Sequence, residues 1–303
     1  MQLRVLGCSG SIASGSHTST FLLDDDILID AGTGVGGLTV DEMARIDHIF
    51  ITHSHLDHVV SIGFLADTVM RLRQRASRPP VRVHALPETL DALRRHVFNG
   101  VIWPDFSALP SPRQPTLAFE PLQTGDIIAL GDRRIEALPA EHSVPAVGYA
   151  VSPADEPGRV WAYTGDTGPC PALWQRLNEL DVAALIAETA FSDDDALLAR
   201  ISGHHCPATL LAGLGELRQP TTVHLTHIKP GEHAAVLRSL GLACQQMGQH
   251  NSPQAGLRSS EAPLFAPCQG GHHRLQPLQQ GQQLNWERPA IFALPEQALR
   301  CAV

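Results

Sequence analysis

A run of apolar, β-prone residues, Ile46-Asp47-His48-Ile49-Phe50-Ile51, ends in Thr52-His53-Ser54-His55-Leu56-Asp57-His58. The pattern is H-x-H-x-D-H at the end of an expected strand. It places four metal-competent side chains, His53, His55, Asp57 and His58, within six residues. Imidazole and carboxylate are borderline-to-hard ligands that suit zinc, manganese or iron. Loops at strand ends are where a rigid scaffold positions chemistry, and the rest of the chain follows the same rhythm.

Residues 3–7 and 20–30 are expected as strands. The run Gly32-Thr33-Gly34-Val35-Gly36-Gly37 after the second invites a dinucleotide-binding reading. That reading fails on context, because the two glycines fall where a helix should begin and no acidic residue closes a second strand about 20 positions on. Ile62, Leu65, Ala66, Val69, Met70 and Leu72 have helical spacing. A short strand over 82–85 precedes a helix opened by Pro87-Glu88, with Leu90, Leu93 and Val97 on its apolar face. Residues 115–165 read as antiparallel strands with turns at Thr124-Gly125-Asp126 and Gly131-Asp132. Within and after them, strand 134–138 delivers Glu141-His142, strand 159–163 delivers Gly165-Asp166-Thr167, strand 182–187 delivers Glu188-Thr189 and strand 222–225 delivers Thr226-His227. Helices are expected over 171–180 and 207–217. From about Gln245 to Gln283 the composition turns to Gln, Ser, Pro, Gly and His, as in a flexible loop or an ordered extension, and Trp286 to Leu294 is expected as a final strand.

Seven residues at strand ends, His53, His55, Asp57, His58, His142, Asp166 and His227, fit a site for two divalent ions. One ion would take His53, His55 and His142, the other Asp57, His58 and His227, with Asp166 bridging. Two ions ~3.5–4 Å apart can hold a hydroxide and clamp the attacking and leaving oxygens of a displacement. No Ser or Cys nucleophile is then required, and there is no G-x-S-x-G motif. Zinc is the default, with manganese or iron as alternatives.

The net charge of −9 argues against a protein that grips nucleic acid through a broad basic surface. Arg71, Arg73, Arg75 and Arg78 form too short a run to serve as an RNA-binding arm. The six cysteines are scattered without C-x-x-C, which does not describe a disulfide framework. No apolar stretch approaches the ~20 residues that a spanning helix needs, so the expectation is a soluble, cytoplasmic protein that engages no membrane.

The combined pattern resembles the metallo-β-lactamase superfamily, and the H-x-H-L-D-H form with Leu56 is similar to class II cyclic-nucleotide phosphodiesterases. Ile29-Asp30-Ala31-Gly32-Thr33-Gly34, Phe98-Asn99-Gly100-Val101-Ile102-Trp103-Pro104, Gly165-Asp166-Thr167-Gly168-Pro169 and Thr226-His227-Ile228-Lys229-Pro230 carry the likeness, to about residue 240. The resemblance implies an α/β (α+β) four-layer αββα sandwich over 1–303 and hydrolysis of cAMP or cGMP to the 5′-nucleotide. After His58 the chain departs from the family, with Ala66-Asp67 where a Ser-Pro or Ser-Ala pair is usual.

Glu188-Thr189 and Gly203-His204-His205-Cys206-Pro207 are similar to segments that tRNase Z-type members place beside the metals. The resemblance implies that His204, oriented by Glu188, protonates the leaving oxygen, with His205 as competitor. Asp57 joins them as a candidate catalytic group. Thr167 and Lys229 are candidate substrate contacts. The expected partner is a small cyclic nucleotide rather than nucleic acid, and a homodimer is compatible with the sequence. A tRNase Z-like phosphodiesterase, or a lactone or sulfate-ester hydrolase, is the alternative. His84, His96, His224, His233, His250, His272 and His273 lack partners at a telling spacing and are expected to be packed or surface residues, and Cys206 to be a packing residue.

Overall fold

The computed structural model describes residues 1–249 and 264–286. Two mixed sheets form its centre. The first runs Gln283–Asn285, Gln2–Gly7, Thr20–Leu23, Ile27–Ile29, His48–Phe50, Val81–Ala85, Leu117–Pro121. Its last four strands are parallel to one another. The second runs Leu264–Cys268, Gly271–Pro277, Thr222–Thr226, Asp181–Glu188, Arg159–Tyr163, Val147–Pro153, Arg133–Pro139, Ile127–Leu130. Its parallel part spans Gly271–Pro277 to Arg159–Tyr163.

Side-chain alternation makes this a sandwich. Val5, Phe21, Ile29 and Phe50 of the first sheet meet Ile135, Tyr149, Trp161 and Ile186 of the second in one buried layer. The opposite face of the first sheet, Leu22, Leu28, Ile49 and Val83, packs under Ile62, Leu65 and Val69 of helix Ser61–Arg75. The opposite face of the second, Ala150, Val160, Leu185 and Val223, packs under Trp174, Leu210 and Val236 of three further helices. The four-layer αββα arrangement is therefore as expected.

Several local expectations need correction. Residues 20–30 form two strands joined at Asp24, whose φ of 52° turns the chain back. Leu117–Pro121 is not part of the antiparallel series; it crosses to the first sheet and pairs in parallel with Val81–Ala85. The helix from Pro87 ends at Ala92 and continues as one π-helical turn over Leu93–Val97. The expected helices over 171–180 and 207–217 are shorter, Pro171–Leu177 and Pro207–Leu214. Helices Val40–Arg45, closed by a Thr39/Glu42 capping box, and His233–Gln249 carried no expectation. Of the Gln-rich region, residues 245–249 close helix His233–Gln249, residues 250–263 lie outside the described residues, and strands from Leu264 onwards add to both sheets. The final strand expected over Trp286–Leu294 lies outside the described residues beyond Trp286, as does His250. Cys8, Cys170, Cys206, Cys244 and Cys268 are free thiols. Among the described residues no helix is long and apolar enough to cross a membrane.

Of the other histidines, His84, His224 and His273 are packed within the fold, while His96, His233 and His272 are exposed. His84 lies flat on Phe50, ring centroids 4.4 Å apart. His224 accepts from the Gln276 amide at 3.2 Å, and fully buried His273 bonds to Thr221 N–H and the Leu214 carbonyl. Burial pulls His84 and His224 down to about 4 from the ordinary 6.5. The unfolded chain takes up these protons below about 6.5 while the folded protein resists until about 4, so folding stability is expected to be full above this window and to fall as pH drops through it. The loss should be on the order of 3 kcal/mol per ring. Urea unfolding of metal-free protein across this range checks it: the His84→Leu/His224→Leu variant should show the shallower dependence.

Candidate metal centre

Four strands with parallel neighbours end in site residues. His48–Phe50 leads into His53-x-His55-x-Asp57-His58, Arg159–Tyr163 into Asp166, and Thr222–Thr226 into His227, while Glu188 closes Asp181–Glu188. His142 follows the antiparallel strand Arg133–Pro139. Backbone geometry at these ends is specialised. Gly165 adopts φ 62° before Asp166, and a Cβ there would lie 2.8 Å from the Val147 carbonyl. Gly203 caps helix Ala196–Ser202 in the left-handed region at φ 70°, and a Cβ there would lie 2.9 Å from Ser143 N. Asp30 and His227 are themselves left-handed at φ 55° and 61°, a conformation unfavourable for residues with a side chain.

All seven expected ligands converge in two groups. His53, His55 and His142 form one; Asp57, His58, Asp166 and His227 form the other; within each, ligand atoms lie within 4.8 Å of one another. His142 Nε2 is 3.0 Å from His55 Nδ1. Asp166 Oδ2 lies 3.0 Å from His227 Nε2, 3.2 Å from His58 Nε2 and 3.8 Å from His53 Nε2, and so stands between the groups. Asp57 Oδ2 is 3.2 Å from His227 Nε2.

The donor set fits divalent cations. His53 Nε2 and Asp166 Oδ1 are buried with no hydrogen-bond partner, a costly condition for polar atoms unless an ion takes them up. Burial keeps His53, His55 and His142 below the usual imidazole range, so these rings are neutral and ready to donate a lone pair. Burial also disfavours protonation of His58 and His227, but Asp166 with Asp30 holds His58 well above its usual range, and Asp166 with Asp57 raises His227 to about 9. Burial opposes ionisation of Asp57 and Asp166, and the facing His227 and His58 overcome it and hold both carboxyls low. The carboxylates thus gather positive charge at the positions of the second group, and a bound cation would displace those protons.

Behind the ligands lies an orienting layer. His58 Nδ1 donates to Asp30 Oδ2 at 2.7 Å, and His142 Nδ1 donates to the Gly203 carbonyl at 2.8 Å. Asp30 is fully buried and also accepts from Thr52 N–H at 2.9 Å and from the Tyr163 hydroxyl at 3.3 Å. Sequence reasoning assigned Asp30 no role, although it too is a polar residue at a strand end. Replacing Asp30 with Ala should weaken metal affinity or activity by roughly 10–100-fold, the usual effect of losing an orienting partner; competition with a colorimetric chelator measures it.

Glu188 and His204 sit beside the two groups. His204 Nδ1 donates to Glu188 Oε1 at 2.9 Å, and the same oxygen accepts from Thr167 N–H and His205 N–H. The His204 ring stands 4.8 Å from that of His142 and 5.1 Å from that of His227. His205 points elsewhere: its Nδ1 meets Thr209 Oγ1 at 3.0 Å and its ring neighbours Trp174. Thr167 is fully buried; its hydroxyl donates to Gly168 O and accepts from Glu141 N–H, so this side chain joins two site loops. Lys229 is half-buried at the edge of the centre.

Fold and centre together define a metallohydrolase scaffold: residues 25–247 match the β-lactamase superfamily domain, and the chain belongs to that superfamily, with the metallo-β-lactamase fold. The family implies divalent metal ions. The chain is similar to a probable 3′,5′-cyclic-nucleotide phosphodiesterase of Yersinia pestis, 27% identical over 298 residues that span 80% of this chain and 82% of that one. It is also similar to ribonuclease Z of Bradyrhizobium sp. (strain ORS 278), 33% identical over 180 residues, 55% of this chain and 56% of that one. Of solved structures, unliganded yeast PDE1 matches with a TM-score of 0.73 at 16% identity, covering 93% of this chain and 98% of that one. Human tRNase Z, short form, matches with a TM-score of 0.56 at 19% identity, covering 76% and 93%.

Proposed function

We propose that this metallo-β-lactamase-fold hydrolase is a phosphodiesterase that opens the 3′,5′-cyclic phosphate of cAMP or cGMP to the 5′-nucleotide. The observation that carries the reading is the buried His204–Glu188 pair set against the His/Asp groups. A phosphodiester needs a clamp for phosphoryl charge and a proton for its leaving alkoxide, and this arrangement has a residue set for each. The likeness to the Yersinia protein over most of both chains supports the cyclic substrate.

Two divalent ions, with zinc the first expectation, would supply activation of a water and neutralisation of phosphoryl charge. His53, His55 and His142 would hold one, Asp57, His58 and His227 the other, and Asp166 would face both. His58 and His142 are kept in register by Asp30 and the Gly203 carbonyl. Water adds to phosphorus and gives up a proton to solvent, the bond from phosphorus to the 3′-oxygen breaks, and His204 gives its Nε2 proton to that oxygen and regains one from solvent. Glu188 holds the opposite edge of the ring and stabilises the imidazolium that precedes transfer.

A longer RNA phosphodiester is the second reading, favoured by the ribonuclease Z likeness. Against it, the net charge is −9, and Arg73 and Arg78 of the basic run are spent on Asp47 at 2.8 and 2.7 Å. Side-by-side turnover of cAMP, cGMP and a precursor tRNA by metal-loaded protein tests the ranking. Cyclic-nucleotide hydrolysis without 3′ processing is the expected result, and the reverse selectivity would replace the first reading with the second.

A further inference from the structure

Lys229 is the sole lysine of the sequence, and it is held in a defined place. Gly10 N–H donates to the Ile228 carbonyl at 3.3 Å, and Lys229 N–H donates to the Ala190 carbonyl at 3.5 Å, fixing the backbone just after His227. The ammonium donates to the Gly10 carbonyl at 3.4 Å and stands 5.3 Å above the Phe191 ring. That ring meets His204 edge-on, centroids 5.7 Å apart. Ammonium, phenyl and imidazole therefore follow one another in a row that ends at His204, whose ring neighbours those of His142 and His227.

The charge in this row is held without being neutralised. An aromatic face attracts a cation but leaves its charge intact. Among the described residues Lys229 has no carboxylate partner, and its one side-chain hydrogen bond is long, which leaves donors of the ammonium for another acceptor. In a chain of net charge −9, a positioned cation separated from His204 by one phenyl ring meets an anion better than any exposed arginine on a distant face.

We infer that Lys229 binds the anionic oxygens of the phosphoryl group on the His204 side of the centre. The cyclic-nucleotide identity of the substrate rests on the function proposed above, but the anion contact does not. A cyclic diester carries one negative charge and a phosphomonoester about −1.5 to −2 near neutral pH. Lys229 therefore grips the product more tightly than the substrate, and it is a source of product inhibition.

Calorimetric titration of metal-loaded protein with orthophosphate tests this directly. Lys229→Met keeps much of the apolar stem and removes the charge; Lys229→Arg keeps the charge. The Met variant should lose about tenfold or more in phosphate affinity, the scale on which one charge-assisted hydrogen bond acts. The Arg variant should recover most of it, and metal content should be unchanged in both. With cAMP, KM should rise more than kcat falls, and inhibition by the 5′-nucleotide should weaken further than KM rises. Unchanged phosphate affinity in the Met variant, or an Arg variant as weak as Met, would overturn the assignment. If the Met variant does not fold, Lys229→Gln read the same way gives the same two outcomes. Phosphate binding is measured without turnover, so a protein inactive on cyclic nucleotides still answers the question.

Discussion

Replacing Asp166 with alanine is expected to lower phosphodiester turnover by on the order of 10³-fold or more, beyond the 10–100-fold typical of an orienting residue. The carboxylate is 1% exposed, and one oxygen lies within 3.8 Å of His53, His58 and His227 at once. Asp57 shares the second group with Asp166, but among the described residues its carboxylate pairs only with rings of that group, whereas Asp166 also reaches His53 of the first. Its loss would leave two rings without the anion that raises them, so the variant should also bind fewer than two metal equivalents. Elemental analysis alongside kinetics checks both effects, and circular dichroism establishes that the variant is folded.

Replacing His204 with alanine should act differently. Loss of a positioned proton donor costs typically 10²–10⁴-fold in rate. Metal content should stay at the wild-type value: His204 lies close enough to His142 and Asp166 to share an ion, but its Nδ1 is tied to Glu188 and it is not among the seven expected ligands. The loss should depend on the leaving group: large for a nucleoside alkoxide, and less than about tenfold for a p-nitrophenyl ester, whose phenolate departs without a proton. Glu188→Gln should fall between wild type and His204→Ala, since Glu188 Oε1 orients the ring and gathers two backbone N–H groups as well. Equal losses on both ester types would assign His204 to structure rather than to proton transfer.

What the sequence made legible follows the range of the interaction. His53 to His58 are neighbours in the chain, so their convergence needs only one loop. His142, Asp166 and His227 were legible because each follows an apolar, β-prone run; Asp166 and His227 leave parallel strands and His142 an antiparallel one, and the sandwich brings the three ends together. Asp30 had the same position but no assignment, because its meaning lies in a hydrogen bond to His58 across 28 residues. The choice of His204 over His205 depended on which ring turns towards Glu188, which the G-H-x-x-P spacing does not encode. Strand Gly271–Pro277 was hidden by composition: its inward residues are His273 and Leu275, and a buried histidine held by Thr221 and Leu214 reads as polar until its partners are known. Leu117–Pro121 looked like a strand, but its transfer to the other sheet is a pairing choice made by Val81–Ala85, far from it in the chain.

The measurement that bears most directly on the central proposal is hydrolysis of cAMP by chelator-stripped protein titrated with zinc, followed by chromatography of the product. Activity should be absent without metal, rise to a plateau near two equivalents per chain and yield the 5′-nucleotide. Activity that survives stripping, a plateau at one equivalent, or release of the 3′-nucleotide would contradict a two-ion centre in which His204 protonates the departing 3′-oxygen.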